Sequence, residues 1–180
     1  VPFAFTAERQ AAFNELLTHY PTKRAAMLPT LHLAQEQNGY ISRHVMEYVA
    51  ELLEVSPAQV QDVVSFYPMF FEHPVGKHII RVCKTLPCML CNCRQVLDHM
   101  RQKLGVDPDE TTPDGAFTLL EVECLAACDR APVMMVNDEL YGNLTPEAVD
   151  KVLAALTNGD APKEPAHGER ARATHSVRGH

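Results

Sequence analysis

His78-Ile79-Ile80-Arg81-Val82-Cys83-Lys84-Thr85-Leu86-Pro87-Cys88 opens as a β-branched apolar run and closes on two cysteines with four residues between them. The run has the length and composition of a buried strand. A turn signal, Pro74-Val75-Gly76-Lys77, precedes it and marks a change of texture near residue 75. Downstream, Val96, Leu97, Met100 and Leu104 share a helical face that Gly105 ends, and the Pro- and Asp-rich stretch 107–115 reads as a loop. A second strand is expected from Phe117 to Glu123. It runs into Cys124-Leu125-Ala126-Ala127-Cys128, so both cysteine pairs fall at strand ends on one edge of a sheet. Val133–Val136 and Glu139–Tyr141 flank Asn137-Asp138, which tolerates the positive φ of a tight hairpin. Thr145 and Pro146 start a last helix with Val149, Val152, Leu153 and Leu156 on its apolar face. Strand, helix, three strands and helix make an α/β domain with a four-stranded sheet and two helices, residues 76–157.

Residues 1–75 carry a different pattern. Phe13, Leu16, Leu17 and Tyr20 form one helical stripe stopped by Pro21, and a second helix runs from Lys23 to Asn38 with Gly39 as its left-handed stop. Val45, Tyr48, Val49 and Leu52 mark a third. Ser56-Pro57-Ala58-Gln59 is a capping box that starts a fourth, whose buried face is Val60, Val63, Val64 and Tyr67. This is an all-α bundle. Its His32, His44 and Glu36 show no ligand spacing, so it reads as a docking element rather than a reactive one. Residues 158–180 hold hardly any bulky apolar side chain and read as a flexible tail.

Composition narrows the function. Hydrophobic residues at 46% and charged residues at 22% of the 180 positions are ordinary globular usage. A formal charge of -7, with no basic stripe interleaved with aromatics, argues against a nucleic-acid partner. No apolar run approaches the roughly 18 residues of a spanning helix, and the first 20 residues lack a secretory pattern. The expectation is a soluble, unsecreted chain with no direct membrane insertion. In a reducing compartment, six cysteines are metal ligands or core residues more readily than disulfides.

Four thiolates suffice for the two tetrahedral irons of a 2Fe-2S cluster, and loop backbone N–H groups free of the sheet ladder can point at its sulfurs. Lys84 and Arg130 are neighbouring cations, either tuning reduction or simply solvated. The pairs C-x4-C and C-x3-C differ from the C-x2-C pairs of structural zinc sites. Zinc, stapling an adaptor, is therefore the weaker metal, and two further alternatives stay open on spacing alone. Cys83, Cys88 and Cys91 with Cys124 match a plant-type ferredoxin order. Cys88-x2-Cys91 is a redox dithiol spacing of thiol-disulfide enzymes. Cys91 is expected near the first turn of the following helix, as a reserve ligand or oxidation site, and Cys93 within that helix as a small core residue.

Taken together, Leu33-Ala34-Gln35-Glu36-Gln37-Asn38-Gly39-Tyr40, Ser65-Phe66-Tyr67, Pro74-Val75-Gly76-Lys77, Thr111-Thr112-Pro113-Asp114-Gly115, Glu121-Val122-Glu123-Cys124-Leu125, Ala131-Pro132-Val133 and Val136-Asn137-Asp138 carry a resemblance. With both cysteine pairs, they resemble the NuoE-type subunit of NADH:quinone oxidoreductase, the thioredoxin-like 2Fe-2S ferredoxin of respiratory complex I. The resemblance implies a thioredoxin-like domain following the bundle, with Cys83, Cys88, Cys124 and Cys128 as ligands of one cluster. It implies a flavin- and NADH-binding partner subunit that holds FMN and NADH, and further contacts in a peripheral arm. That arm lies on the cytoplasmic side of the bacterial inner membrane, or the matrix side in mitochondria. No G-x-G-x-x-G follows any expected strand, in keeping with an NADH site on the partner. NAD-linked hydrogenases and formate dehydrogenases use the same module. Three departures from the family pattern stand out: Ala126 where glycine is usual, Asp129-Arg130 where small or polar residues are usual, and Cys91-Asn92-Cys93 where cysteine is usually absent.

Overall fold

The computed structural model describes residues 3–159. Its contacts divide the chain after Gly76 into two compact units. The first is helical: α1 Ala7–Leu17, a 3-10 turn Lys23–Ala26, α2 Met27–Asn38, α3 Arg43–Leu53 and α4 Pro57–Phe66. Thr6, Ser42 and Ser56 cap α1, α3 and α4 through their side-chain oxygens, and Gln59 completes the box on α4. Gly39 ends α2 at φ 84, a conformation a Cβ disfavours. Leu31, Ile41, Val45, Val49 and Val60 are fully buried in the core of this unit. Tyr48 sits at the core's edge, where its hydroxyl accepts from the Phe5 N–H and its ring meets Phe3 and Phe5 edge-on.

Two details differ from the sequence reading. Helix α1 stops at Leu17, before Pro21, so Tyr20 leaves the buried stripe and lies exposed. The second helix begins at Met27, not Lys23, because Thr22 caps a tighter 3-10 turn first. Pro29 then sits in the first turn of α2, where its missing N–H is harmless.

The second unit follows the order β1 His78–Cys83, α5 Leu86–Leu90, α6 Cys93–Leu104, β2 Glu110–Thr111, β3 Phe117–Val122, a 3-10 turn Cys128–Arg130, β4 Met134–Val136, β5 Glu139–Tyr141 and α7 Pro146–Thr157. The strands form one sheet in the order β2-β3-β1-β4-β5, with β1 and β3 parallel and the other pairs antiparallel. Ile80, Leu119, Met134, Met100 and Val149 fill the core that the sheet shares with α6 and α7. The α/β class is therefore as expected, but the four-stranded sheet with two helices becomes five strands with three helices. Glu110–Thr111, inside the expected loop, pairs with β3 at the edge. The short α5 escaped because its Leu86, Met89 and Leu90 face outward, exposed by 67%, 52% and 76%, so no apolar stripe betrays it. Of the expected tail, only Asn158 and Gly159 are described; the remainder lies outside the described residues.

Candidate metal centre

The parallel register of β1 on β3 sets Cys83 beside Val122, the residue at which β3 ends. The chain leaving β3 therefore carries Cys124 past the end of β1. Antiparallel pairing of β4 closes the other side, where the Cys83 N–H donates to the Val133 carbonyl at 3.1 Å. Cys88 lies in the first turn of α5, not on an open loop, and packs with Cys83, Cys93, Ala127 and Val133 into one small apolar cluster. Cys83 and Cys88 are buried to 2% and 1% exposure, whereas Cys124 and Cys128 are exposed.

The thiols fall into two pairs. Cys83 and Cys88 share one apolar cluster and bias each other's ionisation, and the Cys124 and Cys128 sulfurs stand 3.8 Å apart. Cys128 also feels the charge of Cys83, which ties one pair to the other. Among the described residues no three His, Cys, Asp or Glu side chains converge as ligands of a single metal ion. Two pairs of thiols match two irons, each taking two thiolates.

Donors already surround the sulfurs. The Ala126 N–H approaches the Cys124 sulfur at 3.3 Å, and the backbones of Thr85 and Leu125 favour the ionised form of Cys83 as that of Val133 favours the ionised form of Cys88. The Thr85 hydroxyl lies 3.2 Å from the Cys83 sulfur. Burial pushes the Cys83 thiol up, but the bonds from Thr85 and Leu125 outweigh it and leave the group below its ordinary value. Burial, then the neighbouring Cys83, push Cys88 up to about 12. The Cys124 hydrogen bond, ahead of burial, raises Cys128. A metal that replaces the protons removes the opposition among these thiols. The donor set thus suits a 2Fe-2S cluster: soft, paired, and met by N–H groups that stabilise negative sulfur.

The backbone at Ala126 takes φ 57, the left-handed region, so the departure from glycine there is strained. That conformation accompanies the aim of its N–H at Cys124. Lys84 pairs with Glu123 at 3.6 Å, so its charge is shared with a carboxylate at the surface. Cys91 corrects the sequence reading: it is the exposed C-cap of α5, and α6 begins only at Cys93, after Asn92 in a left-handed conformation. Cys93, at 5% exposure, is a core residue as expected, and burial raises its thiol. Thr85 and Gly142 were missed. Thr85 passes for an ordinary helix cap, and Gly142 matters only through a contact across the fold. A groove of about 560 Å³ lined by Lys103, Asp114, Phe117 and Asp150 contains no cysteine.

The family model for the thioredoxin-like [2Fe-2S] ferredoxin matches residues 13–157. The chain is 42% identical over 137 residues to an NADH-quinone oxidoreductase subunit of Rhizobium meliloti, covering 76% of this chain and 82% of that protein. It is 39% identical over 165 residues to the mitochondrial NADH dehydrogenase [ubiquinone] flavoprotein 2 of Dictyostelium discoideum, covering 90% and 67% respectively. Among solved structures, an NAD+-reducing [NiFe]-hydrogenase chain aligns with a TM-score of 0.66 at 17% identity, over 74% of this chain and 23% of its own length, a likeness of fold.

Proposed function

We propose that this chain, which belongs to the thioredoxin-like [2Fe-2S] ferredoxin family, is the electron-carrying NuoE-type subunit of an NADH:quinone oxidoreductase, respiratory complex I. It holds one 2Fe-2S cluster on Cys83, Cys88, Cys124 and Cys128. The observation that carries this reading is the set of two thiol pairs beyond the ends of β1 and β3, with the Ala126 N–H on the Cys124 sulfur and the Thr85 hydroxyl beside the Cys83 sulfur. When bound, the cluster supplies one-electron transfer. The protein's own residues do the rest. The Cys83 and Cys88 side is sealed from water by Ala127 and Val133, while the Cys124 and Cys128 side faces outward, where a partner can approach.

The partner is the flavin- and NADH-binding subunit, which holds FMN and NADH; the chain sits with it in the peripheral arm. Exposed Leu86, Met89 and Leu90 on α5, beside Cys88, are an apolar surface of the kind that subunit contacts cover. Phe66, 77% exposed at the end of α4, gives the bundle a surface of the same kind and a docking role. No helix among the described residues is long and apolar enough to cross a membrane. The arm's place on the cytoplasmic or matrix side belongs to the same proposal. The rival reading, the same module in an NAD-linked hydrogenase, is favoured by the shared fold; identities of 39% and 42% to NADH dehydrogenase subunits weigh for the first reading.

Anaerobic purification is the test. About two irons and two sulfides per chain, with a 2Fe-2S signal on reduction, are expected. The flavin subunit co-expressed with the chain should co-purify with it. A colourless protein holding zinc, or no iron, would overturn the reading.

A further inference from the structure

Six helical segments among the described residues start on a serine or threonine N-cap: Thr6, Thr22, Ser42, Ser56, Thr85 and Thr145. Five of these side chains accept a hydrogen bond from the amide three residues on, the usual use of such a residue. Thr85 alone makes no cap bond. Its Oγ1 lies instead 3.2 Å from the Cys83 sulfur. The hydroxyl that would ordinarily steady the start of α5 is turned toward a thiol.

We propose that Thr85 is a positioning residue for the cluster, whose hydroxyl donates to the Cys83 sulfur and makes the cluster easier to reduce. The inference rests on the reading that Cys83 is a ligand. A thiolate bound to iron has no proton, so in that state the hydroxyl is necessarily the donor. Reduction adds negative charge to a cluster that already carries about two, and a donor on the sulfur stabilises the reduced form more than the oxidised one. Water cannot substitute for the hydroxyl easily, because Cys83 is 2% exposed. Thr85 is itself half-buried, which leaves room for small changes of side chain.

The test compares the full chain, purified anaerobically, with Thr85→Val, which keeps the shape, and Thr85→Ser, which keeps the hydroxyl. Redox titration should show the reduced-to-oxidised ratio of Thr85→Val lowered about tenfold at a given potential, a midpoint lower by about 59 mV for one electron. Thr85→Ser should titrate with the wild type. Equal midpoints for Thr85→Val and wild type, or equal shifts in both variants, would overturn the proposal. Should Thr85→Val fail to load iron, loading of Thr85→Ser supports a hydroxyl that holds the site, and failure of both overturns it. Cys83→Ser separates the premise: an unaltered cluster spectrum there removes Cys83 as a ligand, whatever Thr85 does.

Discussion

Gly142 lies so close to Arg130 that a methyl group on it would stand 2.5 Å from the Arg130 Cβ and 2.9 Å from the Arg130 carbonyl oxygen. The next residue fixes the approach, since the Asn143 N–H donates to that same carbonyl at 2.6 Å. Arg130 ends the turn that Cys128 begins, so the strand β5 side of the hairpin holds one cysteine pair in place. A backbone carbonyl cannot swing away as a flexible side chain does. Gly142→Ala should therefore destabilise the protein by about 1–3 kcal/mol, the range of overpacking. It should also lower iron retention, as measured by thermal melting and iron analysis. A variant as stable and as fully loaded as the parent would show that the turn yields freely.

Ala126 gives a prediction of opposite sign. Its φ of 57 costs an L-residue roughly 1–2 kcal/mol, and glycine avoids the cost while giving back some unfolded-state entropy. Ala126→Gly should raise stability by about 1 kcal/mol in denaturant titration and leave the N–H aimed at Cys124. A loss of stability would mean that the Ala126 methyl makes a contact worth more than the strain.

Asp150 of α7 meets α6. The His99 Nε2 lies 2.8 Å from its Oδ1 and the Lys103 Nζ lies 3.3 Å from its Oδ2. The bond to His99, with Lys103 behind it, holds the Asp150 carboxyl below the usual carboxylate range. A group whose folded value is depressed adds stability above its unfolded value, about 3.9, and loses it as pH falls through the folded value. Asp150→Asn should therefore melt below the wild type at pH 7. The gap should close as the solution is acidified below about pH 4. A gap that persists at the acid end would point to packing rather than charge.

What the sequence showed and what it hid divide along a physical line. β1, the Ser56 box and the Asn137 turn were legible because each is written in adjacent residues: β-branching, a capping spacing, a dipeptide that accepts φ 51. β2 was hidden because two residues in a Pro- and Asp-rich stretch become a strand only by pairing with β3. α5 was hidden because its apolar side chains face out, defeating any search for a buried stripe. The cysteine pairs were legible by spacing. The burial of one pair and exposure of the other, and the hydroxyl of Thr85 turned from cap to thiol, exist only in three dimensions.

The remaining question is which thiols hold iron, since spacing alone admits Cys91 in place of Cys128. The fold weighs against Cys91. It caps the C-terminal end of α5, its N–H is occupied by the carbonyls of Pro87 and Cys88, and its side chain is exposed. A helix C-terminus carries partial negative charge, a poor setting for a thiolate. Cys128, by contrast, stands 3.8 Å from Cys124 on a turn that Gly142 and Asn143 brace. Cys93 shares the apolar cluster of Cys83 and Cys88, but the two-pair arrangement completes both irons without it. Cys91→Ser and Cys93→Ala should each keep a 2Fe-2S spectrum with about two irons per chain, the second with a modest loss of stability from the small cavity. Cys128→Ser should lose the cluster or shift its spectrum to that of an oxygen-ligated iron. If instead Cys91→Ser lost the cluster while Cys128→Ser kept it unaltered, the plant-type set of Cys83, Cys88, Cys91 and Cys124 would take the place of the one proposed.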